Sequence, residues 1–225
     1  MTELWDAAYN GDIQKLQELL ADPEYRDMIN YKMNSQGHSA LFFACYGAAN
    51  AETVRLLLNA GADPFQRDDN GCLPLHFAAN SLDPALIAAL LEVPNMHAFK
   101  HDVATASGQT PLHALFVPGA GDGLTLKSKN ADLTSCLSFF LERDKNPLGA
   151  LHKKDNNGLS SLMLVKYYNL QPYFYPHVPP KTFGVLLSTI SVPGNIADIL
   201  KDFYRRIPAN ESTNTMGVSI RPRLR

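Results

Sequence analysis

Apolar residues run through this chain in pairs of short stretches with helical spacing. Leu4, Trp5, Ala7 and Ala8, then Ile13, Leu16, Leu19 and Leu20, recur at intervals of three and four, with Gly11-Asp12 between the two runs. Such spacing predicts two short helices joined by a glycine turn, each burying one stripe. Gln14, Lys15, Gln17 and Glu18 fall on the opposite face of the second run, the polar coat that a terminal unit turns to solvent. The pairing returns at Leu41 to Cys45 with Val54 to Leu58, and at Leu75 to Ala79 with Ile87 to Leu91. In the latter, Asp83-Pro84 supplies a cap and a first-turn proline for the second helix.

These runs belong to one repeating unit. The stretch Asn70-Gly71-Cys72-Leu73-Pro74-Leu75-His76-Phe77-Ala78-Ala79 recurs downstream as Gly108-Gln109-Thr110-Pro111-Leu112-His113-Ala114-Leu115. It recurs upstream, altered, as Gly37-His38-Ser39-Ala40-Leu41-Phe42-Phe43-Ala44-Cys45. The three glycines lie 34 and 37 positions apart, and Asp155-Asn156-Asn157-Gly158-Leu159-Ser160-Ser161-Leu162-Met163 opens a further unit, its glycine 50 positions after Gly108. Glycine sets a turn, proline fixes φ for the first helical residue, and alanines allow two helices to approach closely. Residues 21–36 read as a long finger. Leu4 and Leu20 are 16 positions apart, as are Leu75 and Leu91, whereas Leu112 and Leu141 are 29 apart. The inserted stretch, Pro118 to Asn130, is too rich in Gly and Pro for a helix interior and predicts a surface loop, after which Leu133, Leu137, Phe140 and Leu141 resume the helix. Residues 169–181, rich in Pro and Tyr, predict a second irregular insertion. Thr182 to Ile190 follows as a helix.

A period of about 33 residues with Thr-Pro-Leu-His, and a second half ending Leu56-Leu57-Leu58-Asn59-Ala60-Gly61-Ala62-Asp63, resembles the ankyrin-repeat family. The resemblance implies an all-α ankyrin-repeat solenoid of about five helix-turn-helix units over residues 1–207. The units fall near 2–36, 37–70, 71–107, 108–157 and 158–207, with irregular C-terminal repeats and a capping helix at Asn195 to Ile207. Residues 208–225 read as a polar basic tail. The irregular periods and insertions resemble the ankyrin proteins that intracellular bacteria send into host cells.

Composition narrows the partners. Twenty basic against twenty-two acidic residues give a net charge of −2, against a surface that tracks phosphates, so nucleic acid is not the expected partner. The N-terminus lacks a basic start and apolar run, and no long apolar stretch of membrane-spanning length occurs, so no membrane insertion is expected. Cys45, Cys72 and Cys136 are odd in number and far apart, which fits a reducing, cytoplasmic setting, or the host cytoplasm for a secreted effector.

Chemistry-bearing residues have simpler readings in the repeat. The resemblance implies that His76 and His113 hydrogen-bond the backbone of the neighbouring turn, a place that Trp5 and Phe42 take in other units. Cys72 with His76, and His97 with His101, have an i, i+4 spacing suited to metal, but neither pair has a third and fourth ligand, so no metal and no cofactor is expected. Cys136 with His113 or His152 is the one nucleophile–base pairing the repeat could bring close, and Cys136 reads as a small core residue. Gly119 to Gly123 lacks the Gly-Lys-Ser of a phosphate loop.

The register points instead to the groove that the first helices line. Facing it would be Asp6, Tyr9 and Asn10; Phe43, Tyr46 and Gly47; Phe77, Asn80 and Ser81; Ala114 and Val117; and Leu164, Tyr167 and Tyr168. Aromatics at this density are unusual for a solvent-facing helix surface and favoured as interface anchors. The alternative is that several of them pack beneath the fingers. With the finger tips, the expected protein-binding residues are Tyr9, Phe43, Tyr46, Phe77, Asn80, Tyr167, Tyr168, Arg67 and Lys100. The expected role is a monomeric protein-protein interaction module, not an enzyme, binding another protein. The rival expectation is a host-modifying or enzymatic activity carried by the insertions at 118–130 and 169–181. A third is a targeting arm or oligomer built through the C-terminal unit.

Overall fold

The computed structural model describes residues 2–47, 50–94, 103–116, 135–137, 139–140 and 147–167. The insertions at 118–130 and 169–181, the helices expected at 182–190 and 195–207, and the tail lie outside these residues.

Among the described residues the secondary structure is helical, without a strand. The helices are α1 (Glu3–Asn10), α2 (Ile13–Ala21), α3 (Pro23–Asp27), α4 (Ala40–Tyr46), α5 (Ala51–Asn59), α6 (Pro74–Ser81), α7 (Pro84–Leu91), α8 (Pro111–Ala114), α9 (Pro147–His152) and α10 (Ser161–Tyr167). The first helices α1, α4, α6 and α8 pack in series, and α2, α5 and α7 form a second layer. Each unit thus covers the next, as an array whose units cannot bury their own stripes requires. Leu4, Leu41, Leu75 and Leu112, at matching register, are all fully buried. No helix among the described residues is long and apolar enough to cross a membrane.

Local chemistry sets where the helices begin. Asp12, Asn50 and Asp83 accept the backbone N–H of Lys15, Thr53 and Ala85 through their side chains, satisfying donors that the helix leaves open. The same device corrects the reading of residues 21–36 as one long finger. Asp22 caps α3 by accepting from Glu24 N at 2.9 Å, with Pro23 in its first turn. Part of that segment is therefore helical, and Arg26 Nη2 ties it back to the Leu20 carbonyl at 2.8 Å.

The true fingers are turns built alike in successive units. Asn34 Oδ1 accepts from His38 N at 2.9 Å, Asp68 Oδ1 from Cys72 N at 2.7 Å, and Asp155 Oδ1 from Leu159 N at 2.8 Å. Thr105 Oγ1 serves the same place, accepting from Gln109 N at 3.1 Å. Three positions after each of these stands Gly37, Gly71, Gly158 or Gly108, with φ between +76° and +82°, a conformation that glycine adopts without strain. One backbone bond joins each described finger to the next: Asp69 N to Gln36 O at 2.9 Å, Ala106 N to Asn70 O at 2.8 Å, and Asn156 N to Ser107 O at 2.9 Å. Finger contact is thus kept although the period lengthens along the chain.

Gly47 ends α4 for a different reason. Its φ of −84° suits any residue, but a Cβ there would fall on the Tyr9 carbonyl oxygen and lie 2.7 Å from Tyr9 Cδ2. Because the obstacle is backbone, Gly47→Ala should destabilise the protein by about 1–3 kcal/mol, as overpacking does. Chemical denaturation measures this, and an unchanged midpoint would show that α1 and α4 have room to separate.

Candidate interaction surface

Along the first helices the aromatic side chains form a row that crosses three units. The Tyr9 ring centroid lies 6.4 Å from that of Tyr46, with the planes tilted by 43°, and Tyr46 lies 6.2 Å edge-on from Phe77. All three occupy equivalent faces of α1, α4 and α6, so unit stacking alone lines them up. Tyr9 is 39% exposed and Tyr46 58% exposed, while Phe77 is half-buried. The exposed large apolar residues among those described are these two tyrosines with Tyr31 and Met33, all in the first two units. Tyr31 sits at the first finger, edge-on to Trp5 at 6.4 Å.

Phe77 is held from beneath by a cluster of rings. His38 stacks on Phe42 at 5.1 Å and meets Phe77 edge-on at 5.1 Å, and Phe42 meets Phe77 edge-on at 5.3 Å. Phe43, half-buried, lies 6.1 Å from His38. Asn34 Nδ2 lies 3.1 Å from His38 Nδ1; as donor it leaves the ring proton on Nε2. That nitrogen faces Asp68 Oδ2 at 3.4 Å. Asp68 is buried, and its other oxygen already receives Asn70 N and Cys72 N. The His38–Asp68 contact joins two consecutive finger turns and was not read from the sequence; the polar residue opening each finger turn was the available signal.

The remaining expected residues have varied settings. Asn80 Nδ2 donates to the Ala114 carbonyl at 3.1 Å, and Arg67 Nη1 donates to the carbonyls of Gly71 at 2.7 Å and Ala104 at 2.9 Å. Both side chains therefore tie one unit to the next, while Arg67 remains exposed at a finger. Leu164, placed in the groove by register, is buried. Tyr167 closes α10, and Tyr168 and Lys100 lie outside the described residues.

Histidine and cysteine chemistry is taken up by the fold. His76 Nδ1 accepts Leu73 N at 3.0 Å and Nε2 faces the Gln109 carbonyl at 3.2 Å. Burial, the largest cause, lowers its pKa from 6.5 to about 4. His113 repeats the arrangement, with Thr110 N at 3.2 Å and the Leu159 carbonyl at 3.1 Å, and burial lowers its pKa as well. Neither ring has a nitrogen free for a metal. Burial first, and then the Asp68 charge, pushes the Cys72 thiol up to about 12, and burial pushes Cys45 up too, so both are poor nucleophiles. Cys136 is buried. His97 and His101 lie outside the described residues. No group of three His, Cys, Asp or Glu side chains suited to a metal occurs among the described residues.

The family model described as "Ankyrin repeats (3 copies)" matches residues 4–98. The chain is similar to the mouse B-cell lymphoma 3 protein homolog, 29% identical over 115 residues, which is 51% of this chain and 25% of that protein. It is also similar to mouse ankyrin repeat domain-containing protein 53, 27% identical over 127 residues, 56% of this chain and 22% of that protein. The chain thus spans about a quarter of the length of these curated relatives. Repeats of this kind generally mediate protein-protein interaction. With the matching register of Leu4, Leu41 and Leu75 and the repeated finger turns, residues 4–98 are ankyrin repeats.

Proposed function

We propose that the chain is a binding module that takes a partner protein on the groove lined by its first helices, with the Tyr9–Tyr46–Phe77 row as anchor and the fingers as rim. The observation that carries this is the exposure of Tyr46 and Tyr9 in line with Phe77. Tyrosine combines a large apolar ring with a polar tip and loses little conformational freedom on binding, which makes it a preferred anchor at interfaces. The inner cluster of His38, Phe42 and Phe77 supports the row from below, so the anchors are in place before a partner arrives and need less ordering on binding. The module works by binding rather than by catalysis, as a monomer.

The test is a comparison of affinities for the protein that the chain captures from a cell extract, once that protein is identified. Tyr46→Ala with Phe77→Ala should weaken binding by about 2 kcal/mol, the scale of adjacent interface anchors. Arg55→Ala with Glu92→Ala should not, since that exposed pair, joined at 3.0 Å and 3.1 Å, lies on α5 and just past α7 in the other layer. Helicity and melting must first match the parent protein. If the aromatic variant binds normally while the Arg55 and Glu92 variant loses the partner, the docking face is the second-helix layer.

A further inference from the structure

The exposed end of the aromatic row has a charge that selects its ligand. Helix α1 carries Glu3 and Asp6, while α4 and α6 carry no charged residue, so the first helices of three units present carboxylates and no lysine or arginine. Glu3 is paired with Lys15 at 3.2 Å. The nearby finger cation Lys32 is likewise paired, with Asp69 at 3.2 Å. Asp6 makes no ion pair among the described residues, is exposed, and stands one helical turn before Tyr9 on the same face. Residues 2–31 as a whole hold seven acidic and two basic residues. Two exposed tyrosines beside an uncompensated carboxylate form an environment that attracts a cation twice over, through the ring faces and through the charge.

We propose that Tyr46, Tyr9 and Asp6 together receive a basic side chain, arginine above all, from an extended segment of the partner protein. This rests on the docking face argued above and adds the chemistry of what docks. The geometry also selects the mode of contact. A planar group between two rings needs about 7 Å, twice the contact distance of about 3.5 Å, and the Tyr9 and Tyr46 centroids are 6.4 Å apart. The guanidinium therefore lies over the open face of Tyr46, the more exposed ring, rather than between the two. Arginine fits better than lysine because its plane stacks on the ring while its edge still donates to a carboxylate.

A random peptide library selected on the full chain tests this. The retained peptides should share an arginine or lysine at a fixed place, and replacing that arginine by neutral, isosteric citrulline in a synthetic copy should abolish most of the affinity. Against one such peptide, Tyr46→Leu and Asp6→Asn should each weaken binding by about threefold and together by about tenfold, as expected for an exposed cation–π contact and an exposed ion pair. Tyr46→Phe should keep the affinity, because the ring face remains. Glu18→Gln should also keep it, because that charge lies on α2 and is remote from the row. Binding should fall as salt is raised. Peptides with no basic preference that are still lost with Tyr46→Ala and Phe77→Ala would overturn the cation receptor and leave the docking face standing. Peptides indifferent to every one of these groove substitutions would overturn both, and a selection that retains no peptide overturns the receptor.

Discussion

Replacing Leu75 by alanine should lower the stability of the protein by about 2–5 kcal/mol, the range for emptying a fully buried leucine site. Leu75 is completely inaccessible on α6, which packs against α4 on one side and α8 on the other. A hole there weakens two junctions at once, because in a stacked array each unit is held mainly by its neighbours. Leu112 is also fully buried, on α8, and Leu112→Ala should cost a similar amount. Denaturant unfolding followed by circular dichroism reads the effect. A shallower transition would add that the array now unfolds in parts. Unchanged midpoints in both variants would mean that neither leucine seals a junction.

Acid should destabilise the protein through His76. Its folded pKa is near 4, against 6.5 for the free side chain. Above pH 6.5 the ring is neutral in both states and contributes no pH dependence. As the pH falls from 6.5 towards 4, the unfolded chain takes up a proton that the folded chain refuses, so stability falls across that window and then levels. At about 1.4 kcal/mol per pH unit the loss comes to about 3 kcal/mol. The physical cause is burial together with the Nδ1 bond: that nitrogen already accepts the Leu73 N–H, and a proton placed there would set two donors against each other in a buried site. His113, lowered by burial as well, acts in the same direction. The check is the slope of unfolding free energy against pH between 6.5 and 4 in the parent and in His76→Asn. Equal slopes would show that the acid sensitivity comes from other groups.

The elements that could be read from the sequence are those fixed by neighbours along the chain. The finger glycines, the proline-led first helices and the leucines that fill the junctions all depend on local spacing, and the structure places Leu4, Leu41, Leu75 and Leu112 in equivalent buried positions. The nearness of Tyr46 to Phe77 was legible too, since both lie on the same face of stacked helices, one helical turn apart in register. What was hidden depends on meetings between units. His38 with Asp68 joins consecutive finger turns, while Asn80 with Ala114 and Arg67 with Ala104 join different units, all distant along the chain, and a polar side chain gives no periodic sign of which carbonyl or carboxylate it will meet. The short helix α3 was missed for another reason: Asp22-Pro23-Glu24 carries a start signal, but the segment after it is too short to show a hydrophobic stripe.

The serial stacking of the units also determines how the molecule answers a pull. The junctions from Gln36 to Asp69, Asn70 to Ala106 and Ser107 to Asn156, each backed by helix packing between its units, follow one after another, so a tension applied between the two ends passes through each junction in turn. Links in series do not share a load. Such an array extends by releasing one unit at a time at whichever junction is weakest, and the turns left intact on either side can close the gap again when the force is removed.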